Sequence, residues 1–415
     1  MTAAWEPAYA RRAGRMRASE IRELLKLLEK PGVTSFAGGI PDPALFPIER
    51  VKAAYAAVLS DAAAANGALQ YSTSEGYAPL REWIAQQMQA QGVPAQPGNI
   101  LITSGSQQAL EFLGKLFLDA GDTALVAAPT YLGALQAFAA YEPRYDTVRP
   151  GQGNETPEVL RARASANGGS AKFIYLVPDF ANPTGETLTL AARQQALGLA
   201  TDLDIPIIED AAYAALRFEG EEQPSLQALS VADGGGLEAS RVIYCGTFSK
   251  TLTPGLRVGW VCASEAIIRR LVLIKQACDL NSSLINQIIM HRLAEDDFAG
   301  QVTRARSHYR RRRDAMLAAL AEQALPGVTW TKPEGGLFVW VTLPEHLDGA
   351  ALLQRAIAEA DVAFVPGGAF FTDGSGRNTM RLSYSLASDE QIRAGIAKLG
   401  GIIRPLLSGT KKLAE

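Results

Sequence analysis

Short apolar runs alternate with longer amphipathic stretches through the middle of the chain. The apolar runs are the length of buried β-strands, and the stretches between them repeat apolar positions at helical spacing. Alternation of this kind predicts an α/β fold with a mainly parallel sheet flanked by helices on both faces. The predicted strands cover residues 100–103, 124–127, 172–177, 205–210, 242–246 and 258–262.

The pattern changes after about residue 300. An arginine-rich helical run over 304–313 is followed by an apolar strand at 337–341 and a helix at 352–360. This order predicts a smaller α+β domain. We expect residues 46–299 to form the large domain, and residues 1–45 plus 300–415 to form the small domain with an N-terminal arm.

Several polar and aromatic side chains lie at or just beyond the ends of predicted strands. In open α/β sheets ligands bind outside the carboxyl ends of the strands, so these side chains predict a common site. They are Ser106, Tyr131, Asn182, Asp210, Tyr213 and Lys250.

The stretch 246–250, Gly-Thr-Phe-Ser-Lys, combines a lysine with hydroxyl side chains and glycine, as a site for a reactive amine and a phosphate would. A desolvated lysine close to other cations loses its proton more readily and becomes a nucleophile that forms a Schiff base with an aldehyde. The neighbouring hydroxyls and Arg257 are suited to hold a phosphate. The turn 104–108 leads from a strand into a helix, which is typical of a phosphate site and equally of a capped helix start.

Composition limits the other classes of function. A net charge of −3 and 47% apolar residues are typical of a soluble globular protein and give no indication of nucleic-acid or membrane binding. We expect the arginine run to be a solvated helix face. The cysteines, Cys245, Cys262 and Cys278, form no metal-binding pair, and we expect them to be reduced and buried. Three scattered histidines predict no metal site. We find no signal peptide and expect a cytoplasmic protein.

Together these motifs resemble the fold-type-I pyridoxal-phosphate aminotransferases of classes I and II. Within that family the chain is similar to the branch that acts on 2-aminoadipate, kynurenine, aromatic and branched-chain amino acids. The resemblance covers nearly the whole chain, in order. It is carried by residues 35–43, 70–77, 103–108, 128–131, 182–185, 210–213, 246–250, 257–260, 333–336 and 380–383.

The resemblance implies a set of contacts with the ring of pyridoxal 5′-phosphate. Lys250 would form the Schiff base and later move a proton to and from the substrate Cα. Asp210 would pair with the ring nitrogen and keep it protonated. Asn182 and Tyr213 would hydrogen-bond the phenolate oxygen, and Tyr131 would stack on the ring. The catalytic residues implied are therefore Lys250, Asp210 and Tyr213.

The resemblance also implies a phosphate site shared between two subunits. Tyr71 would reach the phosphate bound by the neighbouring subunit, which predicts a homodimer with shared active sites. Thr247 stands where the family commonly has serine, and its hydroxyl can do the same work. The phosphate ligands implied within one chain are Ser106, Gln107, Thr247, Ser249 and Arg257.

On the substrate side, Arg381 would bind the α-carboxylate in a bidentate fork, helped by Asn182. Gly39 and Arg22 would lie near the substrate side chain. We therefore predict an aminotransferase that passes the amino group of an L-amino acid to a 2-oxo acid, with 2-oxoglutarate as the expected acceptor.

Two other functions remain open at this point. A β-lyase or a decarboxylase could use the same cofactor and scaffold. A regulator with an aminotransferase-like sensor domain would need a DNA-binding domain, and we expect none because only about forty residues precede the predicted core.

Overall fold

The computed structural model describes residues 5, 8–15, 32–166 and 168–408. The β-strands of this part are Thr34–Ser35, Ile100–Thr103, Thr123–Ala127, Arg144–Val148, Ala171–Leu176, Ile207–Asp210, Val242–Thr247, Gly259–Cys262, Thr329–Trp330, Phe338–Thr342, Val362–Ala363, Val365–Pro366 and Thr379–Ser383. The α-helices are Ile48–Leu59, Ala62–Ala68, Ala78–Ala90, Ser106–Phe117, Leu132–Ala139, Pro157–Ser165, Leu190–Leu203, Leu226–Ala232, Gly236–Ala239, Glu265–Cys278, Leu284–Gln323, Gly349–Ala360 and Asp389–Ser408. Short 3₁₀ turns cover Arg11–Arg15, Pro43–Leu45, Pro97–Asn99 and Gly367–Phe370.

A seven-stranded sheet forms the centre of the molecule. All neighbouring pairs are parallel except those made by Gly259–Cys262, which runs antiparallel to both of its neighbours. The prediction of a mainly parallel sheet flanked by helices is confirmed. The strand order across the sheet is Ile100–Thr103, Gly259–Cys262, Val242–Thr247, Ile207–Asp210, Ala171–Leu176, Thr123–Ala127 and Arg144–Val148.

Apolar clusters on both faces hold the helices against this sheet. On one face, helix Ser106–Phe117 buries Leu110 and Leu113 against the strands. On the other face, helix Ala78–Ala90 buries Leu80 and Ile84 in a separate cluster. Burying such side chains stabilises the fold by about 1.5–3 kcal/mol each.

A second, four-stranded antiparallel sheet is built from the C-terminal part of the chain. Its strand Thr379–Ser383 pairs with Phe338–Thr342 and with Val365–Pro366. Nearby, the early strand Thr34–Ser35 runs parallel to Val362–Ala363. The stretch that follows Ser35 is therefore held beside the C-terminal sheet, although it lies far away in sequence.

Helix Leu284–Gln323 connects the two sheets and is interrupted at Asp297, where φ is −163° and ψ is 53°. The carboxylate of Asp297 accepts hydrogen bonds from Arg50 at 2.7 Å and Arg304 at 3.0 Å. Our expectation of a solvated arginine run is wrong for Arg312 and Arg313, which are buried. Their guanidinium groups pair with carboxylates and carbonyl oxygens, and this pairing compensates the cost of burial.

The expectation that all three cysteines are buried is confirmed for Cys245 and Cys262 and is wrong for Cys278, which is exposed in the last turn of helix Glu265–Cys278. Within the described ranges, none of the helices combines the length and apolarity needed to cross a membrane.

Candidate active site

Lys250 lies just beyond strand Val242–Thr247, at the carboxyl edge of the central sheet. Its Nζ donates a 2.9 Å hydrogen bond to the carbonyl oxygen of Gly39 and lies 5.7 Å from the centre of the Tyr213 ring. Burial lowers the pKa of this ammonium to about 8, and the positive charges of Arg381 and Arg257 contribute to the decrease. Near neutral pH a larger fraction of Lys250 is therefore the neutral amine than of an exposed lysine.

Asp210 ends the neighbouring strand and is buried. Its Oδ2 accepts a 2.8 Å hydrogen bond from the Tyr175 hydroxyl, whereas its buried Oδ1 has no partner among the described residues. Burial raises the pKa of Asp210 to about 6, although the hydrogen bond from Tyr175 and the charge of Lys250 favour the ionised form. A cationic N–H donor at Oδ1 would satisfy this oxygen and favour the ionised form further.

Arg381 reaches this edge from the C-terminal sheet and is almost fully buried. Its Nη1 donates to Asn182 Oδ1 at 2.7 Å, and its Nη2 donates to the Ala37 carbonyl at 2.6 Å. The guanidinium lies between the rings of Phe338 and Phe370, whose centres are 4.3 and 5.2 Å from its carbon. These contacts favour one orientation of the planar fork, and its buried Nε has no partner in the part of the chain described.

Two tyrosines complete this part of the site. The side chain of Asn182 lies within hydrogen-bonding reach of Tyr213, and burial raises the pKa of Tyr213 far above its usual value. Tyr131 begins helix Leu132–Ala139 and packs over Gly133, where any Cβ would collide with its ring. The Tyr131 side chain lies close enough to both Tyr213 and Arg381 to interact with them electrostatically, so the residue belongs to the same cluster.

A cradle suited to an anion lies beside this cluster, at the start of helix Ser106–Phe117. Gly105 precedes the helix with φ of +75°, and no side chain caps the helix start. The guanidinium of Arg257 lies against Gly105 and donates to the Ser104 carbonyl at 3.2 Å. A Cβ on Gly259 would lie 2.7 Å from the Ser106 nitrogen, so glycine keeps this backbone N–H accessible.

Of the remaining predicted phosphate ligands, Thr247 and Ser249 lie together, whereas the side chain of Gln107 is directed elsewhere. Thr247 Oγ1 and Ser249 Oγ are 2.9 Å apart, and Thr247 pairs across the sheet with Gly259. Gln107 directs its Nε2 to the Gly133 carbonyl at 2.7 Å, so the side-chain amide supports the Tyr131 loop.

Two of the predicted site residues, Tyr71 and Arg22, cannot be assigned to this cluster from the single chain. Tyr71 has 78% of its surface exposed. Arg22 lies outside the described residues.

Sequence reasoning did not predict three residues that shape the site, namely Tyr175, Phe338 and Phe370. Tyr175 lies inside an apolar strand, where an aromatic residue is expected simply to pack. Phe338 and Phe370 belong to segments whose proximity to Arg381 depends on long-range pairing. A tyrosine in a fully buried strand next to an acid-bearing strand was the one available signal, since a buried hydroxyl needs a partner.

Comparison with known proteins identifies the family of this chain. The family model described as "Aminotransferase class I and II" matches residues 34–399. The chain belongs to this family.

Relatives cover nearly the full length of this aminotransferase. It is 43% identical to a 2-aminoadipate transaminase of Thermus thermophilus, over 97% of this chain and 98% of the relative. It is 42% identical to aromatic-amino-acid aminotransferase 1 of Thermococcus litoralis, over 96% and 95% of the two chains. The crystal structure of the Thermus α-aminoadipate aminotransferase with N-(5′-phosphopyridoxyl)-L-leucine matches with 41% identity and a TM-score of 0.87, over 98% of this chain and 100% of that one.

The chain is therefore a pyridoxal-phosphate-dependent aminotransferase with the fold-type-I architecture. Two features of its own site fit the cofactor. The unpartnered Oδ1 of Asp210 suits a protonated ring nitrogen, and the glycine-lined helix start beside Arg257 suits a phosphate.

Proposed function

We propose that this aminotransferase takes the amino group from 2-aminoadipate, an aromatic or a branched-chain L-amino acid and transfers it to a 2-oxo acid, with 2-oxoglutarate as the acceptor. The activities for which the two relatives are named, and the leucine adduct in the similar crystal structure, support this choice of donors. The observation that carries the proposal is the buried, immobilised guanidinium of Arg381 beside Asn182.

Arg381 would bind the substrate α-carboxylate through two parallel hydrogen bonds, because a guanidinium matches the geometry of a carboxylate. In this role the Asn182 side chain would either move from Arg381 towards the carboxylate or stay bound to Arg381 and contact the carboxylate as well. The rings of Phe338 and Phe370 lie against the guanidinium and would keep water away from this ion pair, which would strengthen it.

Bound pyridoxal phosphate supplies an aldehyde that reacts reversibly with amines and a ring that withdraws electrons. Lys250 would hold the aldehyde carbon and, once released, take the proton from the substrate Cα and return it on the cofactor side. Its lowered pKa near 8 suits it to both directions of this transfer. Asp210 would keep the ring nitrogen protonated, and Tyr175 would hold Asp210 in the ionised form.

The other predicted residues keep their roles as parts of this proposal. Tyr213 and Asn182 would donate to the phenolate oxygen, and Tyr131 would cover one face of the ring. Gly39 and Arg22 would border the substrate side chain. The phosphate would be held by Ser106, Gln107 through its backbone, Thr247, Ser249 and Arg257.

We further propose a cytoplasmic homodimer in which Tyr71 reaches the phosphate of the partner subunit. The high exposure of this aromatic side chain in one chain supports the assignment. We also retain the division into a large domain, residues 46–299, and a small domain formed by 1–45 and 300–415. The interruption of the long helix at Asp297, close to this boundary, supports it.

The decisive experiment follows the visible absorption of the purified holoenzyme while single amino acids are added without any oxo acid. The panel contains 2-aminoadipate, leucine, phenylalanine, kynurenine and glutamate. Conversion to the pyridoxamine form by 2-aminoadipate, leucine or phenylalanine, and its reversal by 2-oxoglutarate, is expected. Conversion by none of them would overturn the proposed donors, and release of carbon dioxide without formation of a 2-oxo acid would identify a decarboxylase instead.

A further inference from the structure

A fully buried lysine outside the catalytic cluster lies behind the proposed phosphate cradle. Lys275 is in the last turn of helix Glu265–Cys278 and has no exposed surface. Its Nζ contacts both carboxylate oxygens of Asp279 at 2.8 and 2.9 Å, Ser282 Oγ at 2.7 Å and Gln108 Oε1 at 3.5 Å. An ammonium has three donors: Asp279 and Ser282 accept at short distances, and Gln108 accepts at the limit of a hydrogen bond.

Gln108 connects this lysine to the loop that precedes the phosphate cradle. Its Oε1 accepts a 2.8 Å hydrogen bond from the Ser104 backbone N–H, and its Nε2 donates to Asp279 Oδ2 at 2.9 Å. If the amide were reversed, an NH₂ group would face both the Lys275 ammonium and the Ser104 N–H. Lys275 and Asp279 together therefore allow only one orientation of the Gln108 amide.

Both backbone polar groups of Ser104 are hydrogen-bonded to side chains. Its N–H is bound by Gln108, and its carbonyl accepts from Arg257 Nη2 at 3.2 Å. The next residues are Gly105 and Ser106, whose backbone forms the start of helix Ser106–Phe117. A displacement of Ser104 would move both Arg257 and the N–H groups at this helix start.

We propose that Lys275 is a positioning residue for the cofactor phosphate, acting through Gln108 and Ser104 without touching the cofactor. This inference rests on the proposed function, in which the helix start and Arg257 hold the phosphate. Burial of an ammonium costs stability. The position of Lys275 is explained if it keeps the loop at Ser104 in the same conformation whether or not the phosphate is bound.

The test compares two aldehydes that differ only in the phosphate. Apo-enzyme is titrated with pyridoxal 5′-phosphate and with pyridoxal, and binding is measured by absorption and tryptophan fluorescence. The wild type must bind the phosphorylated form much more tightly; equal affinities would overturn the proposed phosphate site itself. Lys275→Met keeps the length of the side chain and removes its charge. We expect about tenfold weaker binding of pyridoxal phosphate and a change of less than about twofold for pyridoxal.

Arg313→Met is the matched control, because Arg313 is also a buried cation paired with a carboxylate, that of Glu219. It should lower the melting temperature and leave the ratio of the two affinities unchanged. Equal losses for both aldehydes in Lys275→Met, or no loss for either, would show that Lys275 is merely structural.

Gln108→Met interrupts the same chain of contacts one step closer to the loop, and it carries the test if Lys275→Met does not fold. It should reduce the affinity ratio by a similar factor. In the double variant Lys275→Met/Gln108→Met the two losses should not add, because both act through Ser104. Independent, additive losses would overturn the proposed connection.

Discussion

Arg381 Nη1 and Asn182 Oδ1 lie 2.7 Å apart, and this hydrogen bond joins the C-terminal sheet to the loop that follows central strand Ala171–Leu176. The pair sets the position of the proposed carboxylate site relative to Lys250. Two substitutions separate the effects of the charge and the geometry of Arg381: Arg381→Lys keeps the charge and removes the planar group, whereas Arg381→Gln removes the charge.

Arg381→Lys keeps the positive charge and removes the planar fork, so that bidentate binding of the α-carboxylate is lost. We expect kcat/KM for the amino donor to fall by roughly thirtyfold, equivalent to about 2 kcal/mol. Steady-state kinetics with 2-aminoadipate and leucine would measure this. Cofactor affinity serves as the control and should not change; an unaltered kcat/KM would exclude Arg381 as the carboxylate ligand.

Burial lowers the pKa of Lys250, and the positive charge of Arg381 lowers it further. Deprotonation produces the nucleophilic amine, so the capture of pyridoxal phosphate by apo-enzyme should accelerate as the pH rises through about 8. Because the charge of Arg381 lowers this pKa, Arg381→Gln should move the midpoint to higher pH, while Arg381→Lys should leave it nearly unchanged. Stopped-flow rates between pH 6.5 and 9.5 would measure the midpoints, and identical midpoints in all three proteins would contradict the electrostatic assignment.

Tyr175 supports the ionised form of Asp210 through one buried hydrogen bond. In Tyr175→Phe the pKa of Asp210 should rise further, since the bond that favours the charge is lost. Activity should then disappear at a higher pH on the acidic side of the profile, with about a five- to tenfold lower kcat/KM at neutral pH. Asp210→Asn, which cannot ionise, should lose roughly a hundred- to thousandfold. A Tyr175→Phe profile that matches the wild type would show that Tyr175 only packs.

Gly39 leaves no room for a side chain. A Cβ at this position would lie within 2.7 Å of Phe338 Cε1, and Phe338 covers one face of the Arg381 guanidinium. We expect Gly39→Ala to displace this ring and raise KM for amino donors several-fold, with little effect on cofactor binding. Gly401→Ala, whose Cβ would meet nothing within 4 Å, is the matched control. Equal KM values in the two variants would argue that Phe338 is dispensable.

The sequence predicted the central sheet well because its strands are nearly continuous apolar runs. Strand Arg144–Val148 was missed because it lies at the sheet edge, is mostly polar and is only partly buried. Lys250 and Asp210 were predicted as site residues from the rule that ligands bind at strand ends, together with the family resemblance, and both lie at the carboxyl edge of the central sheet. The contact of Arg381 with Ala37 depends on which distant strands pair, and local periodicity carries no information on that pairing.

The hydrogen bond between Arg381 and the Ala37 carbonyl spans 344 positions of the chain, and the one between Lys250 and Gly39 spans 211. During synthesis, the stretch around Ala37 and Gly39 must therefore wait for most of the protein before its partners exist. Lys250 is synthesised before Arg381, so the contact with Gly39 becomes possible first, and the contact with Ala37 becomes possible only with strand Thr379–Ser383. A nascent chain that ends before this strand can contain every proposed cofactor ligand of the central sheet and still lack the arginine proposed to bind the substrate carboxylate.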